Sequence, residues 1–423
     1  MSGRHRGLRA LVGCALLVGG VTAASAEAGV GSSSQVSAWG GVLLGDCNLA
    51  ATGTPGGINV QRQEDSYGAS GPGSSGVTRW GAALDITQSV VGDYLDDSAF
   101  AKLDDPSYWY NCWNPYLAQH PGQQIAYGLP MMATTDKANG ATLASGAAGA
   151  YDSHFVNLAR SLIAHNSGRA SLRLGYEFNC ACSRWAADRD PVSWVRFYRR
   201  IVAVMRAQPG AHFSFLWNVN NGYNNDVVMG GEFDARTVFP DDPAVDPASF
   251  TRGTTYVDMV TDDIYDQNYQ PQGYPFPPGA TASDIAARQQ FATQQTLYGG
   301  GGEANPSWDT AAGWRAFARR WGKRFGVSEW GLIRNPNQPG RGLESAPALD
   351  PNGGGDNPYF IDGMTRWFAN NDPETVSYAA YFDTVGSTDN RIDAGFSPLA
   401  LARLEADLGN TVVPVQGTKL RRS

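Results

Sequence analysis

Histidine is scarce in this sequence, and so is charge. The 423 residues include 5 histidines and 5 cysteines, and only 17% are charged. None of His5, His120, His154, His165 and His212 sits in H-E-x-x-H or another metal-ligand spacing, so metal hydrolysis lacks its ligands and no metal or cofactor is expected. No G-x-S-x-G marks a serine nucleophile. No G-x-G-x-x-G follows an early strand, so the dinucleotide-binding signature is missing. Beyond Val21 no apolar run is long enough for a membrane helix. Basic residues are outnumbered 32 to 40, a net charge of −8. An acidic surface repels nucleic acid and anionic membranes and suits a neutral substrate.

What is plentiful is apolar and aromatic. Hydrophobic residues make up 42% of the chain, with 12 tryptophans, 18 tyrosines and 17 phenylalanines. That composition supports a large folded core rather than disorder. Arg4, Arg6 and Arg9 precede the apolar stretch Leu11 to Val21, and Ala24-Ser25-Ala26 has the form of a cleavage site. Residues 1–26 are therefore expected to be a signal peptide, and the protein to be secreted. Loss of the three arginines would take the net charge from −8 to −11. Residues 27–38 read as a flexible Gly/Ser-rich lead, and 39–423 as one domain.

Removal of Cys14 would leave Cys47, Cys112, Cys180 and Cys182. An even count in an exported chain suggests two disulfides, with three connectivities open. A Cys180–Cys182 ring would be very small, so each is expected to pair with Cys47 or Cys112. A four-thiolate zinc site is the weaker alternative.

Short apolar runs alternate with amphipathic patterns, which points to βα units and a parallel sheet. The strand candidates are 42–44, 125–129, 171–175, 212–217, 256–264, 325–328 and 376–382, with 58–61 as another. Helical stripes run through Phe155, Leu158 and Leu162, through Trp194, Phe197, Tyr198, Ile201 and Met205, and through Trp314, Phe317 and Trp321. About eight strands suggest a (β/α)8 barrel. Residues 267–305 and 331–358 would then be long loops at its C-terminal face, where such barrels keep their active sites.

Two glutamates stand at strand ends, in Leu172-Arg173-Leu174-Gly175-Tyr176-Glu177-Phe178-Asn179 and in Phe325-Gly326-Val327-Ser328-Glu329-Trp330-Gly331. A pair of carboxyl groups at one barrel mouth is what cleavage of a glycosidic bond requires. One protonates the departing oxygen and the other attacks the anomeric carbon. Tyr176 and Phe178 would raise the pKa of Glu177. Asp263 and Tyr265 alternate at the end of 256–264 and should share a face, with Tyr265 reaching the nucleophile. Sugar rings stack on aromatic faces, and the candidate platforms are Trp39, Trp80, Trp109, Tyr110, Trp113, Trp185, Trp217, Trp308 and Trp330.

These segments together resemble the family 26 glycoside hydrolases, β-mannanase-type enzymes of the (β/α)8 clan with two catalytic glutamates. The likeness runs from about Gly41 to Leu401. It includes Gly41 to Gly45, Gly128 to Met131, Leu172 to Asn179, Phe213 to Asn218, Tyr256 to Asp266, Phe325 to Leu332 and Tyr378 to Asp383. It implies a retaining hydrolase with Glu177 as acid/base and Glu329 as nucleophile. The substrate-binding set would be Arg173, Tyr176, Asn179, Trp185, Asn218, Asp263, Tyr265 and Trp330. The partner would be a polysaccharide, most simply a β-1,4-mannan, acted on by a monomer. Tyr176 stands where many such mannanases have histidine, and Cys180-Ala181-Cys182 is an unusual insert. Xylan, mixed-linkage glucan, an unusual microbial glycan and an inactive carbohydrate-binding barrel stay as alternatives.

Overall fold

The computed structural model describes residues 41–43, 90–95, 97–106, 124–221, 233–337, 349–369, 376–382, 388, 390, 392 and 397–408. The proposed signal peptide and lead, the possible strand at 58–61, Cys47, Cys112, Trp39, Trp80, Trp109, Tyr110 and Trp113 lie outside these residues.

Eight strands pair in parallel and in chain order. They are β1 (Gly41–Leu43), β2 (Val90–Tyr94), β3 (Gln124–Leu129), β4 (Ser171–Leu174), β5 (Ser214–Asn220), β6 (Met259–Tyr265), β7 (Arg324–Gly331) and β8 (Val376–Phe382). Strands β3 to β8 form a curled half-barrel. The three-residue β1 pairs with β2 on one side and β8 on the other. The strand β2 is absent from the sequence-based expectations.

Helices cover the outside. The six longest among the described residues are α1 (Asp152–Ala164), α2 (Pro191–Arg206), α3 (Ala282–Tyr298), α4 (Ala311–Arg320), α5 (Pro358–Ala369) and α6 (Pro398–Leu408). The start of α2 follows local rules: Pro191 sits in the first turn, and the Asp190 side chain accepts from the Ser193 N–H at 3.1 Å. Its stripe of Trp194, Phe197, Tyr198, Ile201 and Met205 is buried, as the 3.6-residue period requires. The segment 267–305 is not all loop. Thr281 and Asp284 cap each other's backbone N–H groups, and this capping box starts the 17-residue α3.

The period of two sorts each strand. On β5, Phe215, Trp217 and Val219 belong to the core between strands and helices, while Leu216 packs inside with Met259 and Ala380. Asn218 and Asn220 share the inward side of Leu216. On β6 the outward residues Val260 and Ile264 alternate with inward Thr261, Asp263 and Tyr265.

The strand β7 breaks this rhythm once. Asp262 pairs with Val327, yet Asp263 pairs with Glu329, so Ser328 is an extra residue. Phe325 and Val327 lie in the outer core, and so does Trp330. The bulge therefore swaps the parity of the strand and turns Glu329 inward.

Candidate active site

The C-terminal strand ends bring Tyr94, Arg173, Glu177, Asn218, Asn220, Asp263, Tyr265 and Glu329 together. Arg173 is fully buried on β4. Its Nε and Nη2 donate to Asn218 Oδ1 at 3.1 and 2.9 Å, and Nη2 also donates to Asp263 Oδ2 at 2.9 Å and to Glu329 Oε1. Asn218 Nδ2 closes the network on Asp263 Oδ1 at 3.0 Å. Glu329 receives two further donors: the Tyr265 hydroxyl on Oε2 at 2.5 Å and the Tyr94 hydroxyl on Oε1.

Glu177 is held differently. It follows β4 by three residues, and its backbone sits in the left-handed region at φ 51°. A non-glycine residue there costs on the order of 1 kcal/mol or more and persists where the surroundings hold it. Its N–H donates to the Asn218 carbonyl, and its carbonyl accepts from the Cys180 N–H, both at 3.0 Å. The carboxyl takes one side-chain donor, Asn220 Nδ2, at 2.7 Å on Oε1. Burial pushes the Glu177 pKa up to about 7, the charge of Glu329 adds to the rise, and Arg173 and the Asn220 bond oppose it. Burial likewise raises Asp263, against the pull of Arg173.

Single oxygens of Glu177, Asp263 and Glu329 all lie within 4.8 Å of one another. Three carboxylates so placed form a cation site, and here the cation among them is the Arg173 guanidinium, paired with Asp263 and Glu329. Asp241, Asp242 and Asp246, an acidic run, are engaged elsewhere. Asp241 pairs with Lys323, Asp246 with Arg196, and Asp242 accepts from the Ala244 N–H.

Several expected sugar contacts are placed otherwise. Trp330 points away from the site and packs on Tyr381, Phe368 and Phe360 with ring centroids 4.9, 5.5 and 6.3 Å apart. The bulge at Ser328 is the reason. Trp185 is buried beneath Tyr176, donates Nε1–H to the Tyr176 carbonyl at 2.6 Å, and meets its ring edge-on. Both polar atoms of the Asn179 side chain bind the backbone of Asn220, each at 2.8 Å. Asn179 thus ties the Glu177 loop to β5. Trp217 is buried among Phe178, Phe239, Trp314 and Phe317, and Trp308 packs under Arg236. Tyr176 lines the site beside Tyr94. The expected cysteine pairing is corrected as well. Cys180 and Cys182 are bonded to each other, because the turn after Asn179 brings their Cα atoms to 5.1 Å, a span that a disulfide bridges.

Two participants were not foreseen. Asn220 lies three residues beyond the expected end of its strand, but the alternation Leu216, Asn218, Asn220 marks it as inward. Tyr94 ends β2, whose sequence Val-Val-Gly-Asp-Tyr carries too little apolar pattern to stand out.

Among the described residues, no helix is long and apolar enough to cross a membrane. No family model matches the chain, and no curated protein matches it. Solved structures do show similarity. An endo-β-1,4-mannanase double mutant from Cellulomonas fimi is 14% identical with a TM-score of 0.44, over 87% of this chain and 72% of that one. A structure of GH26C from a Muricauda species is 11% identical with a TM-score of 0.47, over 88% and 86%. An endo-laminarinase from Formosa is 13% identical with a TM-score of 0.44, over 82% and 77%. Family 26 mannanases and other glycosidases are thus among the structures that this chain is similar to.

Proposed function

We propose that this chain is a secreted, retaining glycoside hydrolase acting on a neutral β-linked polysaccharide, most simply a β-1,4-mannan. Its catalytic unit would be a complete (β/α)8 barrel spanning residues 39–423 and working as a monomer without a cofactor. The observation that carries the reading is the pair Glu177 and Glu329. Their nearest oxygens are within 4.8 Å, one carboxyl is pushed up to about pKa 7, and the other is bound by Arg173, Tyr94 and Tyr265. Retention needs carboxyl groups roughly 5 Å apart, and inversion needs more room for an intervening water.

In the first step a Glu329 oxygen bonds to the anomeric carbon as the glycosidic C–O bond breaks, and the leaving oxygen takes the proton of Glu177. In the second step the Glu177 carboxylate removes a proton from water, which attacks the same carbon and releases Glu329. Arg173 holds the nucleophile and is itself held by Asn218 and Asp263, and Asn179 and Trp185 hold the loop that carries the acid. Tyr176 is the candidate for contact with the sugar. Xylan and mixed-linkage glucan remain in view because neither Trp185 nor Trp330 offers the open platform that the mannanase likeness implies.

The test is reducing-end release by wild-type protein and Glu329→Gln on β-mannan, galactomannan, xylan, mixed-linkage glucan and cellulose. Activity on one polymer, absent in the variant, is the expected result. Glycan binding without cleavage of any polymer would favour an inactive carbohydrate-binding barrel.

A further inference from the structure

We propose that Tyr94 is a positioning residue for the nucleophile, supplying through its hydroxyl the donor that Arg173 alone cannot give to Glu329 Oε1. This rests on the reading of Glu329 as nucleophile. The argument is one of donor count. Arg173 Nη2 carries two N–H groups and faces three acceptors: Asn218 Oδ1, Asp263 Oδ2 and Glu329 Oε1. Tyr265 serves the other oxygen, Oε2. Without Tyr94, Oε1 would share a partly committed nitrogen. With it, the carboxylate is gripped at both oxygens, from β2, β4 and β6.

The surroundings are shaped for this bond. Tyr94 pairs with Gly128 across β2 and β3. A Cβ at Gly128 would stand 2.9 Å from Tyr94 Cε1 and closer still to Cδ1, and 3.2 Å from Tyr176 Cδ1. Only glycine leaves room for the two rings, whose centroids are 5.0 Å apart. The ring of Tyr94 also lies against the guanidinium of Arg173, 5.4 Å from its centroid. Burial and the neighbouring carboxylates hold the Tyr94 hydroxyl in its protonated, donating form.

Tyr94→Phe keeps the ring and removes the donor. The assay is the rate at which a 2,4-dinitrophenyl 2-deoxy-2-fluoro-β-glycoside, built on the sugar of whichever polymer is cleaved, labels the protein. That leaving group needs no proton, so the rate reports the nucleophile and not Glu177. We expect labelling of Tyr94→Phe to slow about 10- to 100-fold, the worth of one hydrogen bond to a charged group. On the polymer, kcat should fall while KM changes less than about twofold. Gly128→Ala, which keeps the hydroxyl but displaces the ring that carries it, should slow labelling in the same direction. Wild-type labelling rates in both variants, with Glu329→Gln inactive, would overturn the role of Tyr94 and leave the nucleophile standing. A wild-type protein that cleaves polymer yet takes no label, or an active Glu329→Gln, would remove the nucleophile and this inference with it.

Discussion

Asp263 on β6 pairs with Glu329 on β7, one position later than the register of Asp262 with Val327 would continue. That single extra residue, Ser328, decides which side chain of β7 faces the site. Deleting Ser328 should remove the bulge, leave Glu329 opposite Asp263 on the inward face and keep Trp330 turned outward. The expected outcome is a folded variant that retains polymer hydrolysis, read beside thermal unfolding. A deletion variant that melts like the wild type yet has lost all turnover would contradict the parity argument.

Glu177→Gln should separate substrates by leaving group. Polymer hydrolysis should fall about 10²- to 10⁴-fold, the usual contribution of a positioned acid. Formation of the glycosyl-enzyme from dinitrophenyl glycosides should be nearly unchanged. In the wild type the acid works only while protonated. Activity on polymer should therefore decline as pH rises through about 7, where Glu177 titrates. Equal losses of Glu177→Gln on both substrate types would argue against its role.

Two buried carboxyls should make stability depend on pH. Glu177 and Asp266 are each pushed up to about 7, chiefly by burial, from the usual 4.5 and 3.8. Between those values and pH 7 the folded state holds protons that the unfolded state releases. Stability should thus fall as pH rises from about 4 to about 7. Asp266 also ties two loops, accepting from Tyr274 Oη and Asn357 Nδ2, each at 2.9 Å. Unfolding midpoints from pH 4 to 8 should show a shallower slope in Glu177→Gln and in Asp266→Asn than in the wild type. An unchanged slope in both would count against the cause assigned.

The Cys180–Cys182 bridge should matter more for rate than for stability. A ring of so few residues restricts the unfolded chain by only about 1–2 kcal/mol. The turn it closes, however, carries the Cys180 N–H that binds the Glu177 carbonyl. A double Cys180→Ser, Cys182→Ser variant should lose polymer activity severalfold while melting within a few degrees of the wild type. Full activity in that variant would remove any role for the bridge in holding the acid.

The elements with long apolar stripes were legible in the sequence, as were the two glutamates and the Asp263/Tyr265 face. What escaped was set by tertiary register and contact. Trp330 reads as a sugar platform because it follows Glu329, and only pairing with β6 reveals the bulge that turns it outward. Tyr94 belongs to a five-residue strand with Gly92 and Asp93 inside it, so no local pattern announces it. Asn220 hides in Asn-Val-Asn-Asn, which resembles a loop until β6 extends alongside it. Asn179 looks like a sugar ligand, yet the backbone of Asn220 satisfies both its polar atoms.

The most direct test of the paired-carboxylate account is the anomeric configuration of the first product, followed by proton NMR during hydrolysis of a β-linked oligosaccharide. With oxygens of Glu177 and Glu329 within 4.8 Å, double displacement predicts that the β anomer forms first and then mutarotates. First appearance of the α anomer would contradict the assignment of Glu329 as nucleophile.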